Sequence, residues 1–162
     1  MIEIEVKAKV EDPERIRQRL DDLGCKLLKK VHQKDTYFKS HFRSFKKTGE
    51  VLRIRKQIPG GDVITFKGPR LRSKIKAREE IEVKIENSVE AIRLLEKLGF
   101  EPWITVEKER EEYQFNKFTL SLDRVKGLSH FIEIETKIEE TQSKLEVEHE
   151  ILGLLNKLGI SK

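Results

Sequence analysis

The sequence predicts an α+β fold of about eight strands and three helices, and three observations carry that prediction. The first residues alternate apolar and ionic side chains at the period of a β-strand. A strand–helix–strand unit then recurs 75 to 77 positions further on. No linker-like or low-complexity stretch divides the 162 residues, so residues 1–162 read as a single domain.

Each element has a local reason. In the first strand Ile2, Ile4, Val6 and Ala8 share one face, while Glu3, Glu5, Lys7 and Lys9 share the other. Asp12-Pro13 supplies an N-cap and a proline at the first helical position, and Ile16, Leu20, Leu23 and Leu27 mark the apolar stripe. A second strand carries Gln33, Asp35 and Tyr37 on one side. Val51 to Lys56 sets Arg53 and Arg55 opposite Leu52 and Ile54, and Pro59-Gly60-Gly61 turns the chain into Val63 to Lys67.

Glu80-Ile81-Glu82-Val83-Lys84 then repeats Glu3-Ile4-Glu5-Val6-Lys7 letter for letter. Ser88 is the expected N-cap of a second helix striped by Ile92, Leu95 and Leu98, and Leu98-Gly99 echoes Leu23-Gly24. Lys108 and Arg110 share a face of the strand that follows, and Phe118 to Val125 sets Leu120 and Leu122 opposite Ser121 and Asp123. A third, partial copy starts at Ile132-Glu133-Ile134-Glu135. Its helix carries Val147, Ile151, Leu155 and Leu158 and stops at Gly159. The period is too long and the copies too few for a solenoid.

Composition narrows the function classes. Charged residues make up 39% of the chain and hydrophobic ones 36%, yet 34 Lys and Arg nearly cancel 29 Asp and Glu, for a net charge of +5. Disordered chains couple low hydrophobicity to high net charge, which is not the case here. No apolar run approaches the ~20 residues of a spanning helix, and the N-terminal residues read as a strand rather than a signal peptide. One cysteine, Cys25, excludes an intrachain disulfide framework and a cysteine-based zinc site. A cytoplasmic location without membrane association is therefore expected. The Lys and Glu abundance also suits a thermophilic source.

Ionic residues at period two ordinarily mark a solvated outer face. Here the pattern recurs in nearly every strand. The polar faces hold the acids Glu3, Glu5, Glu80, Glu82, Asp123, Glu133 and Glu135, and the bases Lys7, Arg53, Arg55, Lys67, Arg78, Lys84, Lys108 and Arg110. The opposite faces offer Ile, Val, Leu and Phe to the amphipathic helices. Two architectures fit: an open sheet with one wet charged side, or a closed barrel whose lumen the charges line. A closed lumen of mixed charge is costly unless a ligand or metal balances it. Phosphates held by Lys and Arg, with divalent ions held by carboxylates, would balance it.

The ordered blocks resemble the CYTH superfamily, the triphosphate tunnel metalloenzymes, over essentially the whole chain. Glu3-x-Glu5-x-Lys7 is similar to its E-x-E-x-K signature, and Gln33-Lys34-Asp35-Thr36-Tyr37-Phe38 to the Q-x-D-x-Y-F block of the class IV adenylate cyclase-like branch. Leu52-Arg53-Ile54-Arg55 resembles its L-R-I-R strand and Thr65-Phe66-Lys67-Gly68-Pro69 its T-[YF]-K-G-P block. Arg78 to Glu82, Leu98-Gly99-Phe100, Val106 to Arg110, Leu122-Asp123-x-Val125-x-Gly127 and Phe131 to Glu135 follow in order. One position departs from the pattern: Ser129 stands in Gly127-Leu128-Ser129-His130-Phe131 where branch members carry glycine. If that glycine takes a positive φ, the path into the last strand changes here.

The resemblance implies the closed reading: an eight-stranded antiparallel β-barrel, the triphosphate tunnel, with helices packed outside. It implies Mg²⁺ or Mn²⁺ on Glu3, Glu5, Glu133 and Glu135, with Glu80, Glu82 and Asp123 as further acidic tunnel positions. It implies that Lys7, Arg53, Arg55, Lys67, Arg78, Lys108 and Arg110 grip a triphosphate, and that Glu5, Lys7, Lys67 and Asp123 are the catalytic candidates. The implied partner is a small triphosphate: ATP, thiamine triphosphate or tripolyphosphate. A nucleic acid is not expected, and a homodimer is. The implied reactions are cyclisation of ATP to cyclic AMP and pyrophosphate, or hydrolysis of a terminal phosphate as in thiamine and inorganic triphosphatases. A non-catalytic module binding nucleotide or polyphosphate is the alternative of another class.

The remaining chemistry-bearing residues read blandly. His32, His41, His130 and His149 lack metal-ligand spacing. Cys25 is expected to be inert, and Trp103 and Tyr113 to pack. Tyr37 belongs to a family block. The basic run Arg70, Arg72, Lys74, Lys76 reads as a solvated loop or a lid over the tunnel mouth.

Overall fold

Eight strands pair around a full circle in the order β1-β5-β4-β3-β2-β6-β7-β8, with β1 and β8 closing it. The structure, a computed structural model, describes residues 1–71 and 76–161, and of Lys76 the backbone alone. The strands are β1 (Ile2–Val10), β2 (Lys26–Ser40), β3 (Val51–Ile58), β4 (Asp62–Lys67), β5 (Lys76–Ile85), β6 (Phe100–Phe115), β7 (Phe118–Val125) and β8 (His130–Ile138). The helices are α1 (Pro13–Asp22), α2 (Phe45–Thr48), α3 (Ser88–Lys97) and α4 (Lys144–Lys157). The sheet is therefore closed and antiparallel rather than open.

The sequence repeat is a repeat of structure. β1-α1-β2 and β5-α3-β6 are equivalent units, and equivalent strands are neighbours: β1 pairs with β5 and β2 with β6, both antiparallel. In β1–β5 the register sets Glu3 opposite Arg78 and Ile4 opposite Ala77, so the two identical pentapeptides are offset rather than face to face.

Capping follows the polar residues before each helix. The Asp12 side chain accepts from the Arg15 N–H at 3.1 Å and Ser143 from Glu146 at 3.4 Å. For α3 the cap is Asn87, which accepts from the Glu90 N–H, and not the expected Ser88. Both Asn and Ser cap well, but here the extended residue is Asn87. Gly24 and Gly99 each reverse the chain at a positive φ, 76° and 91°, which explains the paired Leu-Gly signals. α2 was not predicted. Its four residues are held by the Ser44 cap and by burial of Phe45.

Apolar side chains pack outside the barrel in two clusters. The larger joins β1, β7 and β8 to α1 and α4, with Ile4, Leu20, Leu120, Ile132, Ile134 and Ile151 fully buried. The smaller joins Phe38, Phe45, Leu52, Ile54 and Leu95. The middle of the outer face of β5 lacks that cover: Ile81 and Val83, expected to pack on a helix, are 51% and 53% exposed, while Ala77 at one end is fully buried. α3 packs instead against β3 and β6. No helix among the described residues is long and apolar enough to cross a membrane.

Candidate active site

Strand alternation turns the ionic faces inward, where they line a cavity of about 540 Å³ along the barrel axis. Among its walls are Glu3, Glu5, Lys7, Arg53, Arg55, Lys67, Arg78, Glu80, Glu82, Lys108, Arg110, Glu133 and Glu135. Thus all but one of the residues singled out from the sequence reach one lumen. The exception is Asp123, fully buried at 0% exposure beneath the basic side chains.

The acids converge on one side. Glu3, Glu5 and Glu135 each present an oxygen within 4.8 Å of the others. Lys67 donates to Glu3, lies 3.0 Å from Glu80 and 3.5 Å from Glu5, and Arg78 donates to Glu5 at 3.4 Å. Lys137 reaches Glu80 at 2.8 Å. Burial, reinforced by Glu5 and Glu80, raises the Glu3 carboxyl to about 8 against the pull of Lys67. Burial and then Glu133 raise Glu135 to about 7. Burial opposes ionisation of Glu80 too, but Lys67, the Glu3 hydrogen bond and Lys137 hold it low. Lys67 itself stays charged, because its carboxylate neighbours outweigh its burial.

Beyond Lys67 and Arg78, the bases on β3 and β6 are held by carboxylates from β2, β7 and β8. Arg110 makes two 2.7 Å hydrogen bonds to Asp123 and one of 3.1 Å to Glu133, while Lys108 donates to Asp123 at 2.9 Å. Arg55 makes the same two-pronged contact to Asp35, both bonds 2.7 Å, with Arg53 3.8 Å from that carboxylate. Asp35 and Asp123 are both kept below the usual carboxylate range: burial opposes this, and the guanidinium contacts overcome it. Lys108 is pushed down to about 8 by burial and by Arg110. Arg53 Nε and Arg78 Nε are buried donors without a hydrogen-bond partner, and Gln33 Oε1 is a buried acceptor without one. Buried donors of this kind call for an acceptor from outside the chain.

The expected metal set divides. Glu3, Glu5 and Glu135 converge, whereas Glu133 is taken by Arg110 at 3.1 Å and Lys7 at 3.5 Å. Carboxylate oxygens about 2.0–2.4 Å from a Mg²⁺ or Mn²⁺ lie no more than about 4–5 Å from one another. The three-carboxylate set therefore fits one hard divalent ion. Glu82 and Lys84 stand at a mouth, both exposed.

Sequence reasoning missed Asp35 as an anchor, and missed Gln57, which accepts from Gln33 Nε2 at 2.7 Å, and Lys137. Asp35 had a signal, since it shares a face with Gln33 and Tyr37. Ser129 needs no positive φ: Asn116 alone among the described non-glycine residues takes one. The Ser129 carbonyl accepts from Val125 at 3.0 Å, and β8 pairs in register with β1, Glu133 opposite Lys7 and Glu135 opposite Glu5.

The histidines stay outside the lumen walls, with His32 between Glu107 and Glu109 at 3.1 and 2.7 Å. Cys25 is a buried free thiol that burial pushes up. Tyr113 is buried, its hydroxyl donating to Glu111, but Trp103, expected to pack, is 64% exposed. Of the basic run, Arg72 and Lys74 lie outside the described residues, as does the side chain of Lys76.

Comparison with known proteins agrees with this geometry. The CYTH domain matches residues 1–162. MJ0240 of Methanocaldococcus jannaschii, named provisionally as an adenylate cyclase, is 40% identical over all of this chain and 92% of its own. The structure of PH1819 from Pyrococcus horikoshii OT3 superposes with a TM-score of 0.89 at 34% identity, covering 99% of this chain and 92% of its own. HpAC1 of Hippeastrum, a provisional adenylyl cyclase described with a dominant triphosphatase activity, shares the fold at a TM-score of 0.67 and 23% identity. That match covers 98% of this chain and 88% of its own. Whole-chain coverage by the domain, with its acids and bases gathered in one barrel, leaves one conclusion: this chain belongs to the CYTH family.

Proposed function

We propose that this chain is a metal-dependent enzyme acting on a nucleoside or organic triphosphate, with class IV adenylate cyclase-like activity, ATP to cyclic AMP and pyrophosphate, as its reaction. The observation that carries this reading is the partition of charge in one lumen. Three carboxylates come within 4.8 Å of one another, Arg78 lies beside them and donates to Glu5, and Arg53 stands on β3; both are buried guanidiniums whose Nε has no hydrogen-bond partner. Glu3, Glu5 and Glu135 would hold the divalent ion. When bound, the ion supplies positive charge that neutralises phosphate oxygens and polarises the phosphorus under attack.

The protein's own groups do the rest. Arg53, Arg55, Arg78, Lys108 and Arg110 bind phosphate oxygens, the arginines by their forked donors and Lys108 as a point charge. Lys7 and Lys67 add cations at the two sides of the acid set. Asp35 and Asp123 act as positioning residues: they fix Arg55 and Arg110 before substrate arrives, so no reorganisation is needed as charge develops. Glu133 tethers Arg110 and Lys7 toward the same space. Phosphoryl and nucleotidyl transfer depend chiefly on such positioning and neutralisation.

Hydrolysis of the terminal phosphate uses the same walls, and the triphosphatase activity described for HpAC1 belongs to a protein of this fold. The test must therefore separate products. The purified protein is incubated with Mg²⁺ or Mn²⁺ and ATP, thiamine triphosphate or tripolyphosphate, and the products are resolved by chromatography. Cyclic AMP with pyrophosphate is the expected result. Orthophosphate release transfers the assignment to a triphosphatase. Binding without turnover under either metal overturns the enzyme reading in favour of a binding module.

A further inference from the structure

The barrel is closed along only part of β5. Pairing with β1 covers residues 76–79, and one further bond runs from the Glu80 N–H to the Met1 carbonyl at 3.4 Å, where β1 begins. Residues 81–85 continue beyond that point. On one side they pair with β4, Ile81 opposite Phe66 and Val83 opposite Ile64. On the other side no strand among the described residues pairs with them. The side chains agree with the pairing: Ile81, Glu82, Val83 and Lys84 are exposed in succession, on both faces of the strand, whereas Ile4, Glu5 and Val6 of the identical segment in β1 are buried. A strand edge whose backbone N–H and C=O groups lack a neighbouring strand is a template for pairing with another chain.

We propose that this edge joins a second copy of the chain, β5 to β5, antiparallel about a two-fold axis through Val83. The charges of the segment select both the occupant and the register. Centred on Val83, each Glu82 lies opposite Lys84 of the second copy, Ile81 lies opposite Ile85, and Val83 faces its own counterpart. Acid then meets base and apolar meets apolar, the pairings that stabilise neighbouring strands. Moving the centre by one residue sets Glu82 opposite Glu82, or Lys84 opposite Lys84, and like charges directly opposite are destabilising. The free length fits as well: residues 81–85 of one copy pair with 81–85 of the other, and at Glu80 the incoming strand would meet Met1. Such an interface is isologous and closes at two copies. The bonds run edge to edge, so the outer face of Ile81 and Val83 stays open to solvent.

Sedimentation velocity over a range of protein concentrations is expected to show a monomer–dimer equilibrium. Glu82→Lys and Lys84→Glu each set like charges opposite one another twice in the pair, and each is expected to weaken the dimer at least about tenfold. The double variant Glu82→Lys/Lys84→Glu restores both pairs, and the dimer with them. Mixing the two single variants is expected to give a heterodimer, a result that a folding defect in either cannot produce. Hydrogen exchange reads the same edge without substitution: amides of residues 81–85 should gain protection as the protein concentration rises. A monomer at every concentration overturns the proposal. So does a dimer that both single variants leave intact, a double variant that stays monomeric, or protection at 81–85 that is the same at every concentration.

Discussion

The pentapeptide Glu-Ile-Glu-Val-Lys occurs twice, in β1 and in β5, and its two copies live in different surroundings. In β1 the residues Glu3, Ile4, Glu5 and Val6 are 3%, 0%, 6% and 1% exposed. In β5 Ile81 and Val83 are half exposed, Glu82 and Lys84 stand at the mouth, and only Glu80 joins the acid set through Lys67. Local sequence cannot explain this, because it is identical. β1 carries its apolar side into the cluster with α1 and α4, and its partner β8 runs in register along its whole length. β5 is offset against β1, and α3 turns to β3 and β6. The strand pattern specifies two faces. Register and helix cover decide whether those faces make a site.

The widest break between the copies should be in stability. Ile4→Ala removes a fully buried side chain and is expected to cost about 2–5 kcal/mol, while Ile81→Ala should stay within about 0.5 kcal/mol. Urea denaturation of the two variants measures both. Equal losses would mean that the outer face of β5 is covered in solution.

The second difference is electrostatic. In the ion-free protein Glu3 and Glu135 keep protons to about 8 and about 7, which the unfolded chain releases near 4.5. The folded state then binds more protons than the unfolded one between those limits, so stability falls as pH rises from 5 to 8. Lys108, lowered to about 8, works in the opposite sense only above that range. Urea midpoints in a chelator are expected to fall from pH 5 to pH 8, and Mn²⁺ to reverse the fall by replacing the protons. A midpoint that rises over this range without metal would contradict the buried acid set.

The smallest effect is expected at Ser129→Gly. Ser129 already sits without a positive φ and leaves β8 in register, so restoring the family's glycine should change stability by no more than about 0.5 kcal/mol.

Much of the lumen was legible because alternation is local: Glu3, Glu5 and Lys7, Arg53 and Arg55, and Lys108 and Arg110 each declare a shared face. Closure was not, since an open sheet shows the same alternation, and only the family resemblance chose between them. The anchoring of Arg55 by Asp35 depends on the β2–β3 register, which places Asp35 opposite Arg55. Glu133, expected as a metal ligand beside Glu135, pairs with Lys7 from the adjacent β1 and with Arg110 from β6, across β7, and alternation within β8 cannot show either contact. α2 is too short to announce itself by periodicity, and Trp103 faces a cavity built by a distant connection.

The proposed metal site belongs to the first pentapeptide and not to its twin. Calorimetric titration of Mn²⁺ at pH 8 into Glu5→Gln and Glu82→Gln tests it on chemically identical substitutions. Glu5→Gln is expected to weaken Mn²⁺ at least about tenfold and Glu82→Gln to bind within about twofold of the parent. Equal affinities in the two variants, or a loss confined to Glu82→Gln, would contradict the account.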